Sequence, residues 1–160
     1  MTFQIQACDP APFAAFFALT DKALAKRNIR RVTVTAKPGT PCRVSLADAE
    51  IGETVLLVNF EHQPAQTPFR SSHAIFVREG VAQAHPAVGC VPEVLLSRLI
   101  SLRSFDQQDM MIEADVVPGT ALGKAIERAL SNPAAAYLHL HYAKQGCFAA
   151  SVRRVQGLFP

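Results

Sequence analysis

Hydrophobic and polar positions alternate in several short segments of this chain, which is the pattern of half-buried β-strands. The clearest of them is Tyr137–Tyr142, where leucines alternate with two histidines. Successive side chains of a strand point to opposite faces, so Tyr137, His139 and His141 are predicted to share one face. The other face is then formed by Leu138, Leu140 and Tyr142.

Further strands are predicted by the same alternation or by short apolar runs bounded by turn residues. Residues 54–60 are apolar at nearly every position, which predicts a central strand covered on both faces. The polar turn from Asp106 to Asp109 predicts a hairpin between two neighbouring strands. The remaining predicted strands cover residues 3–7, 31–36, 42–46, 72–78, 99–105, 110–117 and 147–155.

Two segments have helical spacing. Asp9 can cap a helix that starts at Pro10, with Phe13, Phe16, Phe17 and Leu24 on its apolar side. A second helix is predicted after Thr120 and ends at Asn132-Pro133; its apolar stripe consists of Leu122, Ala125, Ile126, Ala129 and Leu130.

Strands follow one another without regular strand–helix alternation, which favours an α+β fold over a parallel α/β fold. The expected architecture is a mainly antiparallel sheet of about seven or eight strands covered by two helices. The chain has 160 residues, the usual size of one domain, so residues 1–160 are predicted to form a single domain.

The formal charge is only +3 and no basic stripe is present, which speaks against a nucleic-acid partner. No apolar run approaches the roughly 18 residues of a membrane helix, so no membrane partner is expected. The first residues lack the basic region of a secretion signal, which favours a cytoplasmic location. The four cysteines are scattered and are expected to be free thiols.

Several sequence landmarks resemble a known bacterial family. They are Thr40-Pro41-Cys42-Arg43, the segments 52–57, 72–78 and 102–106, and 137–139 with Gly146-Cys147. Together they resemble the family known as domain of unknown function 1203, from about Pro41 onward. The resemblance implies a small single-domain bacterial protein and assigns no reaction, cofactor or partner.

The first candidate for chemistry is a metal site on His139 and His141. Side chains at positions i and i+2 of a strand stand roughly 6–7 Å apart, close enough for two imidazoles to reach one ion. A third ligand would have to come from His73, Glu53 or His62. The alternative is a pair of histidines on a solvent-facing strand surface.

The second candidate is a thiol at Cys42, beside the guanidinium of Arg43, with His73 or His139 as the partner of a nucleophile. Neighbouring strand residues point to opposite faces, however, so a structural cysteine in the core is the competing interpretation.

The third candidate is a pocket for an anionic small molecule, which is the function this sequence favours. Arg43, Arg70 and Arg103 would hold the negative charge, with Ser72 and His141 as further donors. His73, His139 and Cys42 are the catalytic candidates if the pocket is also an active site. Internal ion pairs of the strand arginines are the structural alternative.

A module that binds another protein without catalysis is the remaining hypothesis. It would use an edge strand or an exposed patch of phenylalanines. The sequence does not identify a cofactor, a reaction or an oligomeric state.

Overall fold

The computed structural model describes residues 2–155, and this part of the chain has a mixed α+β fold with ten strands. The α-helices are α1 (Asp21–Ala25), α2 (Glu93–Leu96) and α3 (Leu122–Ser131), and 3-10 helices cover Ala11–Ala18 and Gly119–Ala121. The strands are β1 (Phe3–Gln6), β2 (Arg30–Thr33), β3 (Pro41–Cys42), β4 (Ala47–Asp48), β5 (Thr54–Gln63), β6 (Ser71–Arg78), β7 (Leu99–Phe105), β8 (Met111–Pro118), β9 (Tyr137–Tyr142) and β10 (Phe148–Arg154).

The strands form two sheets of five. Sheet A has the order β1-β10-β9-β7-β8, with all neighbours antiparallel. One face of sheet A packs on α3, because Leu138 and Leu140 share a buried cluster with Ile126 and Leu130. The predicted apolar face of 137–142 is therefore confirmed.

Sheet B has the order β2-β5-β6-β3-β4. Its pairs are antiparallel except β3 with β6, which run parallel where Cys42 lies opposite Phe76. The predicted central strand is β5, between β2 and β6. Leu56 and Ile75 form the core of this sheet with Phe13 and Leu24 from the N-terminal helical segment.

The structure has ten strands in two sheets, whereas the sequence predicted one sheet of seven or eight strands. The predicted strand 42–46 ends at Cys42, and the chain then turns through Leu46, whose φ is 48°. Two-residue strands thus arise on both sides of this turn. Alternation along the chain reports which side chains share a face, but it does not report which strands are hydrogen-bonded neighbours.

The first predicted helix is two helical pieces in the structure. The 3-10 helix Ala11–Ala18 ends where Leu19 is extended, with ψ of 151°. The Thr20 hydroxyl then accepts a hydrogen bond from the Ala23 N–H at 3.2 Å and caps α1. Arg31 donates to the Leu19 carbonyl at 2.8 Å, which stabilises the break. The second predicted helix is confirmed as α3.

The two sheets meet on the polar face of sheet A. Phe148 of β10 belongs to the core cluster of sheet B, and its ring lies 6.1 Å from that of Phe60 on β5. The histidines of β9 face the same region. The interface between the sheets therefore contains imidazole rings among apolar side chains.

A glycine fixes the contact between α2 and the start of α3. A Cβ on Gly119 would overlap the carbonyl oxygens of Leu95 and Leu96, which belong to the backbone of α2. We expect Gly119→Ala to lower the free energy of unfolding by about 3 kcal/mol, because the backbone itself has to move. Urea denaturation of the full chain measures this.

Gly123 is the matched control, since it lies in α3, where an added Cβ would meet Val91 at an ordinary 3.8 Å. Gly123→Ala should stabilise the protein by up to about 0.5 kcal/mol, because alanine favours helical backbone over glycine and Gly123 lies in the first turn of α3. Equal effects of the two substitutions would contradict the proposed role of Gly119.

Candidate functional site

Strand β9 supplies two histidines to the interface between the sheets. Its register with β7 places His139 opposite Arg103 and His141 opposite Ser101. Directly opposed residues of an antiparallel pair lie on the same face, so these four side chains share the polar face of sheet A. His141 is completely buried and His139 is 6% exposed.

Sheet B supplies His62 and His73. In the pairing of β5 with β6, Glu61 lies opposite Ser72 and Gln63 opposite Ser71, which leaves His62 as the extra residue of a β-bulge. A bulge bends the strand and re-aims the side chain of the extra residue. Here Nε2 of His62 lies 2.9 Å from Nδ1 of His73 and 3.3 Å from the Ser71 hydroxyl.

The four imidazoles form one compact cluster, which we call the histidine cluster: His62, His73, His139 and His141. The ring of His62 stacks on His73, with centroids 5.0 Å apart, and also on Phe148 at 4.9 Å. His141 meets His62 and His73 edge-on, at 5.0 and 5.4 Å.

One ring nitrogen from each of His62, His73 and His141 lies within 4.8 Å of the other two. His139 contacts the cluster, with its ring 5.5 Å from that of His62, but it is not part of this triple. Of the two predicted metal ligands, the structure therefore places His141 in the triple and His139 beside it.

A backbone carbonyl orients His141. Its Nδ1 lies 3.0 Å from the carbonyl oxygen of Gly146. A carbonyl only accepts, so Nδ1 carries the proton and Nε2 presents a lone pair. Metal-binding histidines are commonly oriented in this way by a carbonyl at their other nitrogen.

The cluster also contains buried nitrogens that lack a partner. Within residues 2–155, Nδ1 of His62, Nδ1 of His139 and Nε2 of His141 make no hydrogen bond. Buried polar atoms nearly always have a partner, so three such nitrogens in one place are unusual, and they are free to accept a bond from an added group.

The electrostatic surroundings keep the cluster neutral. Burial, and to a smaller extent His139, His73 and Arg103, together lower the pKa of His62 to about 3. Burial also lowers the pKa of His141 to about 3, against the opposing effect of the Gly146 hydrogen bond, and the pKa of His139 to about 4. The pKa of His73 is lowered by burial and then by Arg103. At neutral pH these imidazoles are uncharged, the form that binds metal.

Arg103, which lies opposite His139 in the pairing of β7 with β9, brings a positive charge to the cluster. Its charge contributes to the lowered pKa values of all four clustered histidines. Burial lowers the pKa of Arg103 itself from 12.5, yet a guanidinium with that starting value stays charged at pH 7. The cluster therefore lies in a field of positive charge from Arg103, and the predicted role of Arg103 in binding an anion stays a prediction.

Comparison with known proteins places the chain in a family. A family model described as "Protein of unknown function (DUF1203)" matches residues 39–154. The chain belongs to this family. The matched region of this DUF1203 protein contains the whole histidine cluster and Arg103, and the resemblance seen in the sequence is confirmed. No curated protein and no solved structure matches the chain.

The other predicted site residues of the DUF1203 chain are dispersed. Cys42 is fully buried in the core of sheet B, where its sulfur accepts from the backbone N–H groups of Ser45 and Arg78. Arg70 pairs with Glu61 at 2.6 Å on the surface, and the neighbouring Ser72 is exposed. Arg43 is buried and lines a cavity that His73 also lines, apart from Cys42, Arg70 and Ser72.

Local sequence patterns missed two features of this site. The first is the bulge at His62, which exists only in the register of β5 with β6. The second is the Gly146 carbonyl that orients His141, which no side-chain pattern indicates because every residue has a carbonyl. Glu53, which the sequence also offered as a third ligand, pairs with Arg78 at 2.8 Å instead.

All four cysteines are free thiols, as predicted. Among residues 2–155, no helix combines the length and apolar character needed to cross a bilayer.

Proposed function

We propose that this protein binds a divalent transition metal through His62, His73 and His141, and that the metal pocket binds an anionic small molecule. The observation that carries the proposal is the triple of imidazole nitrogens within 4.8 Å of one another. The orphaned Nε2 of His141, held in place by the Gly146 carbonyl, supports it.

The ligand set favours zinc and its neighbours. Three imidazoles suit zinc, copper, nickel and cobalt, whereas magnesium and calcium prefer oxygen ligands. With zinc–nitrogen bonds of about 2.0–2.1 Å, tetrahedral ligand atoms lie about 3.3 Å apart. The three nitrogens must therefore approach one another by at most about 1.5 Å, which side-chain rotations supply.

A metal held by three neutral imidazoles would attract an anion. Three neutral ligands leave the charge of the metal uncompensated, and Arg103 adds to it. Three protein ligands also leave the fourth tetrahedral position open, as in catalytic zinc sites. A cavity of about 480 Å³, lined by His62 and His139 among others, reaches the cluster from one side. The proposal extends to metal-assisted hydrolysis of the bound molecule.

The test is a titration of the full chain, purified without a histidine tag and treated with a chelator. By calorimetry we expect one zinc ion per chain with a Kd below about 1 µM, and no binding of magnesium. His85→Gln is the matched control, because His85 is exposed and lies outside the cluster. Loss of zinc binding in this control, or no binding by the parent chain, would overturn the proposal.

Cobalt tests the open position and the anion separately. The cobalt-loaded protein should show visible absorption bands that azide changes when it takes the fourth position. Arg103→Gln should weaken azide binding by about tenfold, because one favourable charge is lost. Azide binding that is unchanged in this variant would remove Arg103 from the proposal.

Strand β8 favours a second candidate, an interaction module. This strand is an edge of sheet A, and it exposes Ile112 and Val116, the latter 55% exposed. Apolar side chains on an open edge favour pairing with another strand. The alternative surface predicted for such a module was an exposed patch of phenylalanines. No phenylalanine among the described residues is exposed, so only the edge strand supports this candidate.

Pairing of two copies through β8 is the form of this candidate that can be tested. Sedimentation velocity should show concentration-dependent dimers of the parent chain and monomers of Val116→Lys, because the lysine places a charge on the edge. A parent chain that stays monomeric at every concentration would refute β8 pairing.

A further inference from the structure

The strongest unexplained feature outside the histidine cluster is the burial of Arg43. Its side chain is 1% exposed and is among the largest fully buried side chains of the described protein. Nε donates to the Phe148 carbonyl at 2.7 Å, Nη1 donates to the Pro41 carbonyl, and Nη2 donates to the Cys147 sulfur at 3.0 Å. A guanidinium has five N–H groups, so one remains available on each terminal nitrogen.

Arg43 has no anionic partner in the described structure. Within residues 2–155, no carboxylate lies within ion-pair distance of its guanidinium. Buried charges are normally paired, because removing a charge from water without compensation is costly. The three acceptors are two backbone carbonyls and a cysteine sulfur, and none of them is a carboxylate. The position therefore indicates an anion that binds from outside the chain.

A second buried polar group lies beside Arg43. The Tyr142 ring is 4.8 Å from the guanidinium carbon of Arg43, and Tyr142 is 3% exposed. Its hydroxyl is buried and has no hydrogen-bond partner among the described residues. Burial raises the pKa of Tyr142 to about 12, so the group remains a hydroxyl donor at neutral pH.

Both groups line one cavity of about 510 Å³. The cavity also contains apolar side chains, including Leu57, Phe76 and Pro38. Its volume is within the usual range for small-molecule sites. The cavity therefore combines an apolar wall with a buried guanidinium that has no anionic partner and a buried hydroxyl that has no hydrogen-bond partner.

The charge of the cavity selects the kind of anion. Arg98 also lines it, but Asp48 neutralises that guanidinium with contacts of 2.7 and 3.0 Å. One positive charge, that of Arg43, remains. A monoanion would balance it, whereas a phosphate dianion would leave a buried negative charge.

We propose that this cavity binds a small monocarboxylate with an apolar body, its carboxylate held by Arg43 and the Tyr142 hydroxyl. A guanidinium presents paired N–H donors that match the two oxygens of a carboxylate. The inference does not depend on the metal site. His73 lines the same cavity and belongs to the histidine cluster, so the bound molecule would lie against that cluster.

The experiment uses the full chain in the presence of a chelator, so that failure of the metal proposal does not affect it. Hexanoate and phenylacetate are the probes, and binding is followed by ligand-detected NMR with competition between the two. We expect Kd values of about 1 mM or tighter, because the probes are small. Hexanamide and phenylacetamide, which have the same shape without the charge, should bind at least about tenfold more weakly.

Two variants test the anchors. Tyr142→Phe removes only the hydroxyl and should weaken hexanoate binding by about tenfold. Arg43→Gln should weaken it by at least about 30-fold, since the charge itself is lost. Arg70→Gln is the matched control, because Arg70 lies on the surface in a pair with Glu61. If Arg43→Gln does not fold, Tyr142→Phe alone decides.

The outcomes are distinct. Binding that depends on the carboxylate and on Tyr142 supports the proposal. Equal binding of hexanoate and hexanamide, binding unchanged in Tyr142→Phe, or no binding at 10 mM, roughly ten times the expected Kd, would overturn it. Cys147→Ser should retain binding, because the sulfur occupies only one of the five N–H groups of Arg43. Hexanoate binding seen only in that variant would show that the sulfur itself serves as the counter-anion, and would also overturn the proposal.

Discussion

Replacing His62, His73 or His141 singly with glutamine should weaken zinc binding by a factor on the order of 100 or more. Losing a group that merely orients a metal ligand costs about 10–100-fold, and losing a ligand costs at least as much. Each of these three imidazoles contributes one nitrogen to the triple within 4.8 Å. Calorimetric titration with zinc measures the affinity directly.

The same substitutions should remove most of the stabilisation that zinc gives. A ligand present at 1,000 times its Kd stabilises the native state by about 4 kcal/mol, and one present at ten times its Kd by about 1.4 kcal/mol. For a chain of 160 residues the larger figure corresponds to a rise in Tm of about 10 °C, of which a variant with 100-fold weaker binding should lose about two thirds. Thermal unfolding with and without zinc therefore checks the affinities by an independent measurement.

His139 and His85 make the comparison specific. His139→Gln changes a histidine of the cluster that lies outside the triple, so we expect a loss of less than about tenfold. His85→Gln changes an exposed histidine and should have no effect. A large loss of zinc affinity in His139→Gln, with no loss in His62→Gln, would indicate that His139 and His141 of β9 bind the metal. That result would contradict the proposed ligand set.

The metal-free protein should lose about 5 kcal/mol of its free energy of unfolding between pH 7 and pH 5. The pKa values of His62, His139 and His141 are lowered to about 3–4 in the folded state, from 6.5 in the unfolded chain. Between these values the unfolded state binds more protons, so stability falls as the pH falls below 6.5. Each such histidine contributes about 1.4 kcal/mol per pH unit within this window.

Carboxylates do not explain a loss in this window. Asp48 and Glu53 have pKa values lowered from 3.8 and 4.5, so their contribution to stability is lost only below about pH 4.5. Urea denaturation at pH 7, 6 and 5 measures the slope, and His62→Gln should reduce it by about a quarter to a third, because one of the four histidines with a lowered pKa is removed. A stability that is constant from pH 7 to 5 would contradict the neutral, buried state of the cluster.

Much of the local structure follows from the sequence alone. The alternation in 137–142 predicts which face carries leucines and which carries histidines, because strand side chains alternate. The apolar stripe of 122–131 predicts α3, since a helix needs its apolar residues at helical spacing. The motifs from Thr40 onward indicate the family that the match over residues 39–154 then established.

The histidine cluster is decided by tertiary structure. His139 and His141 belong to sheet A, whereas His62 and His73 belong to sheet B, and only packing of the two sheets brings them together. The direction of the His62 side chain depends on a β-bulge, and the bulge is defined only by the register in which β5 pairs with β6. No local pattern of hydrophobic and polar residues contains that register.

Arg43 shows the same division between sequence and structure. The sequence places it in a predicted strand, 42–46, where it could lie on either face, and long charged side chains are usually solvated. Its burial results from partners far along the chain, such as Cys147, 104 residues away. The sequence alone determined the faces of the strands, the helix α3 and the residue types available for chemistry. Only the folded chain decided which of these residues meet, because non-local packing sets their distances, burial and charge.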